Sequence, residues 1–129
     1  MDHERPLMTL CAVTLDCADP MALASFYEQV TGLGPVDGSG DDFAGLRGPS
    51  GFFLGFQRVQ GYRAPKWPGQ AEPQQAHLDF EVDDLDLAEA ALLRAGAGKP
   101  KEQPGESWRV LSDPAGHPFC LTTSKNVRH

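Results

Sequence analysis

The chain repeats itself. Displaced by 65 residues without a gap, Asp19 falls on Asp84, Pro35 on Pro100, Gly40 on Gly105, Leu46 on Leu111, Pro49 on Pro114 and Gly51 on Gly116, and Phe43 meets Trp108. The stripe Leu23, Phe26, Tyr27 and Val30 falls on Ala88, Ala91, Leu92 and Ala95, apolar in both copies. The coincidences gather at helix caps and turns, where backbone geometry dictates residue type. Self-similarity at a fixed period is the mark of a repeated supersecondary unit. In 129 residues there is room for two copies, either as one domain or as two half-sized modules sharing a core.

Each copy reads β-α-β-β-β. Residues 8–17 alternate in the period of two that marks a strand, with Cys11, Val13, Leu15 and Cys17 on one face and Ala12, Thr14 and Asp16 on the other. Asp19-Pro20 supplies a helix N-cap and a first-turn proline. The helix runs to about Thr31, its stripe facing the core, and Gly32 and Gly34 stop it. Residues 35–58 predict three short strands, with turns at 37–42 and 48–51. A linker over 59–74 follows, where Pro65, Pro68 and Pro73 exclude regular structure. A loop this long in a small domain is often functional; its Trp67 either caps a pocket or fastens the loop to the body.

The second copy opens with the most chemically loaded stretch, residues 75–84. His77, Asp79 and Glu81 alternate with Leu78, Phe80 and Val82, so a strand over 75–83 would present three titratable side chains on one face. Asp84 caps a helix over 85–95, ended by Gly96 and Gly98. Residues 99–104 read as a strand or extended segment, 107–112 as a strand, 113–116 as a turn and 117–123 as the last strand. Module one thus spans about 8–58 and module two about 75–123.

Composition narrows the function classes. The apolar fraction of 40% supports a packed interior, and no apolar run is long enough for a membrane helix. The first residues lack the apolar core of a secretory signal, which predicts a cytoplasmic protein. A net charge of −7 argues against nucleic acid, which requires clustered Lys and Arg, and is compatible with a cationic ligand. Cys11, Cys17 and Cys120 form no Cys-x-x-Cys pair, so the expectation is buried thiols rather than a zinc knuckle or redox dithiol.

Three segments, 19–27, 77–84 and 113–121, on this duplicated frame resemble the vicinal oxygen chelate superfamily, which includes glyoxalase I, bleomycin-resistance proteins and extradiol dioxygenases. The nearest branch is that of glyoxalase-like domains. The resemblance covers about residues 8–123. It implies an α+β fold in which two βαβββ modules curl into an open mixed sheet. The helices lie outside, a ligand sits on the concave face, and many members are homodimers.

The resemblance also implies where a metal would sit. Metal-dependent members take one ligand from the first strand and one from the last strand of each module. Those positions here are Ala12 and Gly55 in module one, and His77 and Cys120 in module two. Ala12 and Gly55 have no donor, so no metal and no other cofactor is expected. The expected function is binding of a small molecule without the usual chelate. The alternative is a lyase, isomerase or dioxygenase-like enzyme acting through His77 as acid or base with Asp79 orienting its ring. Candidate ligand contacts are Thr14, Phe53, Gln57, Trp67, Trp108 and Cys120, the two tryptophans being suited to stack on a planar group.

Overall fold

The computed structural model describes residues 7–123. Its elements are β1 (Ala12–Cys17), α1 (Pro20–Thr31), β2 (Gly34–Pro35), β3 (Phe43–Arg47), β4 (Phe53–Arg58), β5 (Leu78–Glu81), α2 (Leu85–Ala95), β6 (Trp108–Ser112) and β7 (Pro118–Thr122). They form a four-stranded sheet of order β1-β4-β3-β2 and a three-stranded sheet of order β5-β7-β6. In each, the first strand pairs parallel with the last, and the remaining pairs are antiparallel. This is the expected open α+β architecture.

The helices begin and end where their caps demand. The Asp19 carboxylate accepts from Ala22 N and the Asp84 carboxylate from Leu87 N. Gly32 and Gly96 close the helices at φ 73° and 118°, left-handed values that a side chain disfavours.

The 65-residue shift is also the register of strand pairing. Thr14–Gly55–Gly45 form one row across the first sheet, and Asp79–Cys120–Val110 form the corresponding row across the second. Asp16–Gln57–Phe43 likewise corresponds to Glu81–Thr122–Trp108.

Three expected strands are shorter than their sequence patterns. β1 starts at Ala12 because its partner β4 starts at Phe53; the last bond of the ladder runs from Phe53 N to Cys11 O. Leu7, Met8 and Leu10 are left almost wholly exposed. β5 starts at Leu78 for the same reason, since β7 starts at Pro118. Residues 99–104 form no strand, and only Gly98 bridges to Ser112. Pro100 and Pro104 have no N–H for a ladder. The Gln103 side chain takes the place of backbone pairing: it accepts from Val110 N and donates to Val110 O and Pro100 O.

One core serves both sheets. Tyr27 of α1 stacks on Phe56 of the first sheet at 5.6 Å and on Phe80 of the second at 6.2 Å. Phe26 and Phe119 meet the ring of Tyr27 edge-on, at 5.0 and 6.4 Å. Its hydroxyl donates to Asp113 Oδ2 at 2.7 Å, and Asp113 Oδ1 accepts from Ala115 N and His117 N. Asp113 is 3% exposed, so these donors replace its water. Val13, Leu15, Leu78, Phe80 and Val82 turn toward this core, as the alternation predicts.

Tyr27→Phe keeps the ring contacts and deletes the donor to a buried carboxylate. The loss should cost about 1–3 kcal/mol. Urea unfolding should show it as a lower midpoint with an unchanged slope.

Candidate functional site

With the apolar positions committed to the core, the opposite face of the second sheet carries the polar ones. Asp79 and Cys120 are direct partners across the parallel β5–β7 ladder, and His77 stands one residue before β5. Each of the three presents a ligand atom within 4.8 Å of the other two. His77 Nε2 lies 3.5 Å from Asp79 Oδ1, an electrostatic contact longer than a tight hydrogen bond. The Cys120 thiol is buried beside the Asp79 carboxylate. Burial first, and the neighbouring Asp79 charge second, push this thiol up to about 11. Asp79 thus neighbours both the thiol and the imidazole, and the thiol keeps its proton at neutral pH. This is the reverse of the thiolate–imidazolium arrangement of a cysteine nucleophile.

Above this cluster lies a cavity of about 230 Å³ lined by Trp67, Gln74, His77, Pro104, Trp108, Val110, Pro118 and Cys120. Trp67 lines this cavity from the linker. Trp108 reaches the same cavity from β6, the position that Phe43 occupies in the first sheet.

A second cavity, of about 320 Å³, lies between β1 and the linker, lined by residues that include Thr14, Asp16, Tyr62, Arg63, Gln74 and His117. The linker is tied down here. Tyr62 Oη donates to Ala115 O at 2.8 Å, and within the linker itself Arg63 pairs with Glu72 at 3.3 Å. His117 Nε2 lies 2.6 Å from Asp16 O, which can only accept, so this nitrogen carries the proton. His117 thus ties the turn before β7 to β1.

Gln74 lines both cavities. Its Oε1 is buried and has no hydrogen-bond donor among the described residues. Such an oxygen is costly unless something donates to it. Gln74 was not among the residues the sequence singled out. It sits in a proline-bounded linker with no periodicity, and only the chain's path brings its amide between the cavities.

The remaining candidates are not brought together. Thr14 lines the second cavity, away from the tryptophans. Gln57 is exposed near the end of β4 and lines neither cavity. Phe53 packs within its own sheet: its ring stacks on Phe43 at 6.0 Å, with the Arg47 guanidinium 5.1 Å above it. These rings occupy the space a side chain at Gly55 would need. A Cβ there would stand 2.8 Å from Phe43 Cζ and 3.0 Å from Thr14 Oγ1. With no donor at Ala12 and no room at Gly55, the two-module chelate implied by the resemblance does not fit this chain.

The three thiols differ sharply. The expectation of buried thiols fails for Cys11, which precedes β1 and is exposed, whereas Cys17 and Cys120 are buried and burial pushes each up to about 11. At pH 8 a thiol of that kind is thiolate in about one part in a thousand. Iodoacetamide at pH 8 should therefore label Cys11 alone in the folded protein and all three cysteines in denaturant. Labelling of Cys120 should rise steeply only as the pH approaches 11.

Comparison with known proteins accords with this architecture. Among curated proteins, no sequence matches significantly. Solved structures do match. A possible glyoxalase from Bacillus cereus shares 21% identity at a TM-score of 0.67, with 89% of this chain and 98% of that one covered. A glyoxalase/bleomycin resistance protein/dioxygenase family enzyme from Burkholderia phytofirmans PsJN shares 23% identity at 0.66, covering 88% and 97%. The bleomycin-binding protein of Streptomyces verticillus, solved with copper(II)-bleomycin, shares 21% at 0.56, covering 94% and 100%. At these identities the likeness is one of fold. The family model of the glyoxalase-like domain matches residues 12–122, and the chain belongs to that family.

Proposed function

We propose that this protein binds a small planar or cationic molecule on the concave face of its second sheet, the face turned away from the core, without the two-module chelate. The observation that carries the reading is the convergence of Trp67, Trp108, His77 and Gln74 on one cavity. Two indoles offer stacking faces, and the unpaired Gln74 Oε1 calls for an N–H or O–H donor on the ligand. The net charge of −7 favours a cation. A fold shared with a bleomycin-binding protein is compatible with carriage of a small natural product.

The same reading takes the protein as a cytoplasmic homodimer with no nucleic-acid partner. A cavity of about 230 Å³ is smaller than the roughly 300–1,000 Å³ of a complete small-molecule site. A second copy would supply the missing wall. β1 and β5 are edge strands, and exposed Leu7, Met8 and Leu10 precede β1. Unpaired apolar edges of this kind invite strand pairing.

The 3.5 Å contact between His77 and Asp79 is the observation that favours the second reading, an enzyme using His77 as acid or base. The two readings part at one variant. For a binder, His77→Ala weakens affinity a few-fold and there is no turnover to lose; for an enzyme, it abolishes product formation.

In a thermal-shift screen of aromatic cations, a hit should raise the melting temperature and quench tryptophan fluorescence. Trp108→Ala should weaken that ligand at least about tenfold, as loss of a stacking anchor does. An unchanged affinity in both Trp67→Ala and Trp108→Ala would overturn this placement of the ligand. Leu10→Lys should convert a dimer to monomer in sedimentation, a charge on an edge being a strong bar to pairing.

A further inference from the structure

We propose that the cavity between β1 and the linker is a second binding site, for the primary ammonium group of a small amine. None of the residues lining it stands at a position where the family resemblance places a metal ligand. It shares only Gln74 with the tryptophan-walled cavity, and it does not depend on the ligand reading above.

The lining has spent its strong donors and kept its acceptors. His117 Nε2 gives its proton to Asp16 O, and Tyr62 Oη gives its own to Ala115 O. The Arg63 guanidinium is held by the Glu72 carboxylate at 3.3 Å. The Asp16 carboxylate, by contrast, makes no hydrogen bond or ion pair among the described residues. Gln74 Oε1 is buried and has no donor among them either. Such a lining favours a guest that only donates. A primary ammonium has three N–H donors, a positive charge and no acceptor.

Charge and shape agree. Asp16 and Glu72 face a single guanidinium, so with His117 neutral the lining is negative. Burial pushes the Tyr62 hydroxyl up to about 12, and the Asp16 charge adds to that rise, so this carboxylate is felt inside the cavity. The Tyr62 ring offers a face to a cation, and Pro65 and Pro73 offer apolar wall to an alkyl chain. A volume of about 320 Å³ stands at the lower end of small-molecule sites, which suits an amine of a few carbons. The wall is also braced. Lys66 N donates to Glu72 O beside the Arg63–Glu72 pair, which closes the linker into a loop whose two arms both line the cavity.

The probe is n-butylammonium chloride, followed through backbone amide chemical shifts at constant ionic strength. Two controls separate charge from donation: tetramethylammonium has the charge without an N–H, and n-butanol has a donor without the charge. The expected result is saturable shifts at millimolar n-butylammonium, centred on residues 14–16 and 72–76, with both controls at least about fivefold weaker. Asp16→Asn keeps the shape and removes the charge, and should weaken n-butylammonium at least about fivefold; Gln74→Met removes the acceptor and should weaken it about threefold. Neither side chain has a hydrogen-bond partner among the described residues, so neither variant removes a contact that holds the fold. Absence of saturable shifts at tens of millimolar would overturn the proposal. So would tetramethylammonium binding as tightly as n-butylammonium, an affinity unchanged in Asp16→Asn, or shifts centred instead on Trp67, Trp108 and Cys120. Tryptophan quenching by an aromatic cation is read separately, so failure of this site and failure of the ligand reading are told apart.

Discussion

The structure depends on where one tyrosine sits. Tyr27 projects from α1 against Phe56 of the first sheet and Phe80 of the second. Its hydroxyl finds the buried carboxylate of Asp113, at the turn before β7. A ring in contact with both sheets, with a polar tip satisfied in the second module, locks together two units that could otherwise slide over an apolar seam. Hydrophobic contact alone is non-directional; a buried hydrogen bond admits one relative placement. Asp113 passes the constraint on, because its other oxygen orders the backbone of Ala115 and His117. His117 in turn reaches Asp16 O on β1.

Because the core consumes the inward faces, all chemical variety is confined to the outward ones. There the two copies have diverged on an identical register. The row Thr14–Gly55–Gly45 is small and is roofed by Phe43 and Phe53. A Cβ at Gly45 would fall 2.2 Å from Phe53 Cζ, so the glycine is what lets the ring lie flat. The equivalent row Asp79–Cys120–Val110 carries a carboxylate and a thiol, and its aromatic, Trp108, stands at the side of a cavity. One copy has become a packed face and the other a chemical one. The linker, anchored through Tyr62, lays Trp67 and Gln74 over the chemical copy.

Much of this was legible beforehand where local rules dominate. Caps at Asp19 and Asp84, glycine stops at Gly32 and Gly96, and the core-facing stripe of α1 follow from short-range backbone chemistry and a helical period. Strand ends were less legible, because a strand lasts only as long as its partner. Residues 8–10 and 75–77 alternate like strands but have no ladder to join. Residues 99–104 were readable as extended, yet nothing local announced that the Gln103 amide would take over the pairing with Val110. Of the candidate contacts, His77, Trp67, Trp108 and Cys120 meet in one cavity, whereas Phe53 and Gln57 do not, since face parity says which way a side chain points and not what already fills the space.

The sequence by itself determined the duplication, its 65-residue register, the helix boundaries and the alternation that sends His77 and Asp79 away from the core. Each is written in spacing between residues close along the chain or in a period carried by the backbone. Only the tertiary structure decided that Cys120 would join His77 and Asp79 within 4.8 Å, that Phe43 and Phe53 would close the space beside Gly55, and that a linker amide would lie between two cavities. Those outcomes depend on distances between segments remote in sequence, which packing sets and no local pattern encodes.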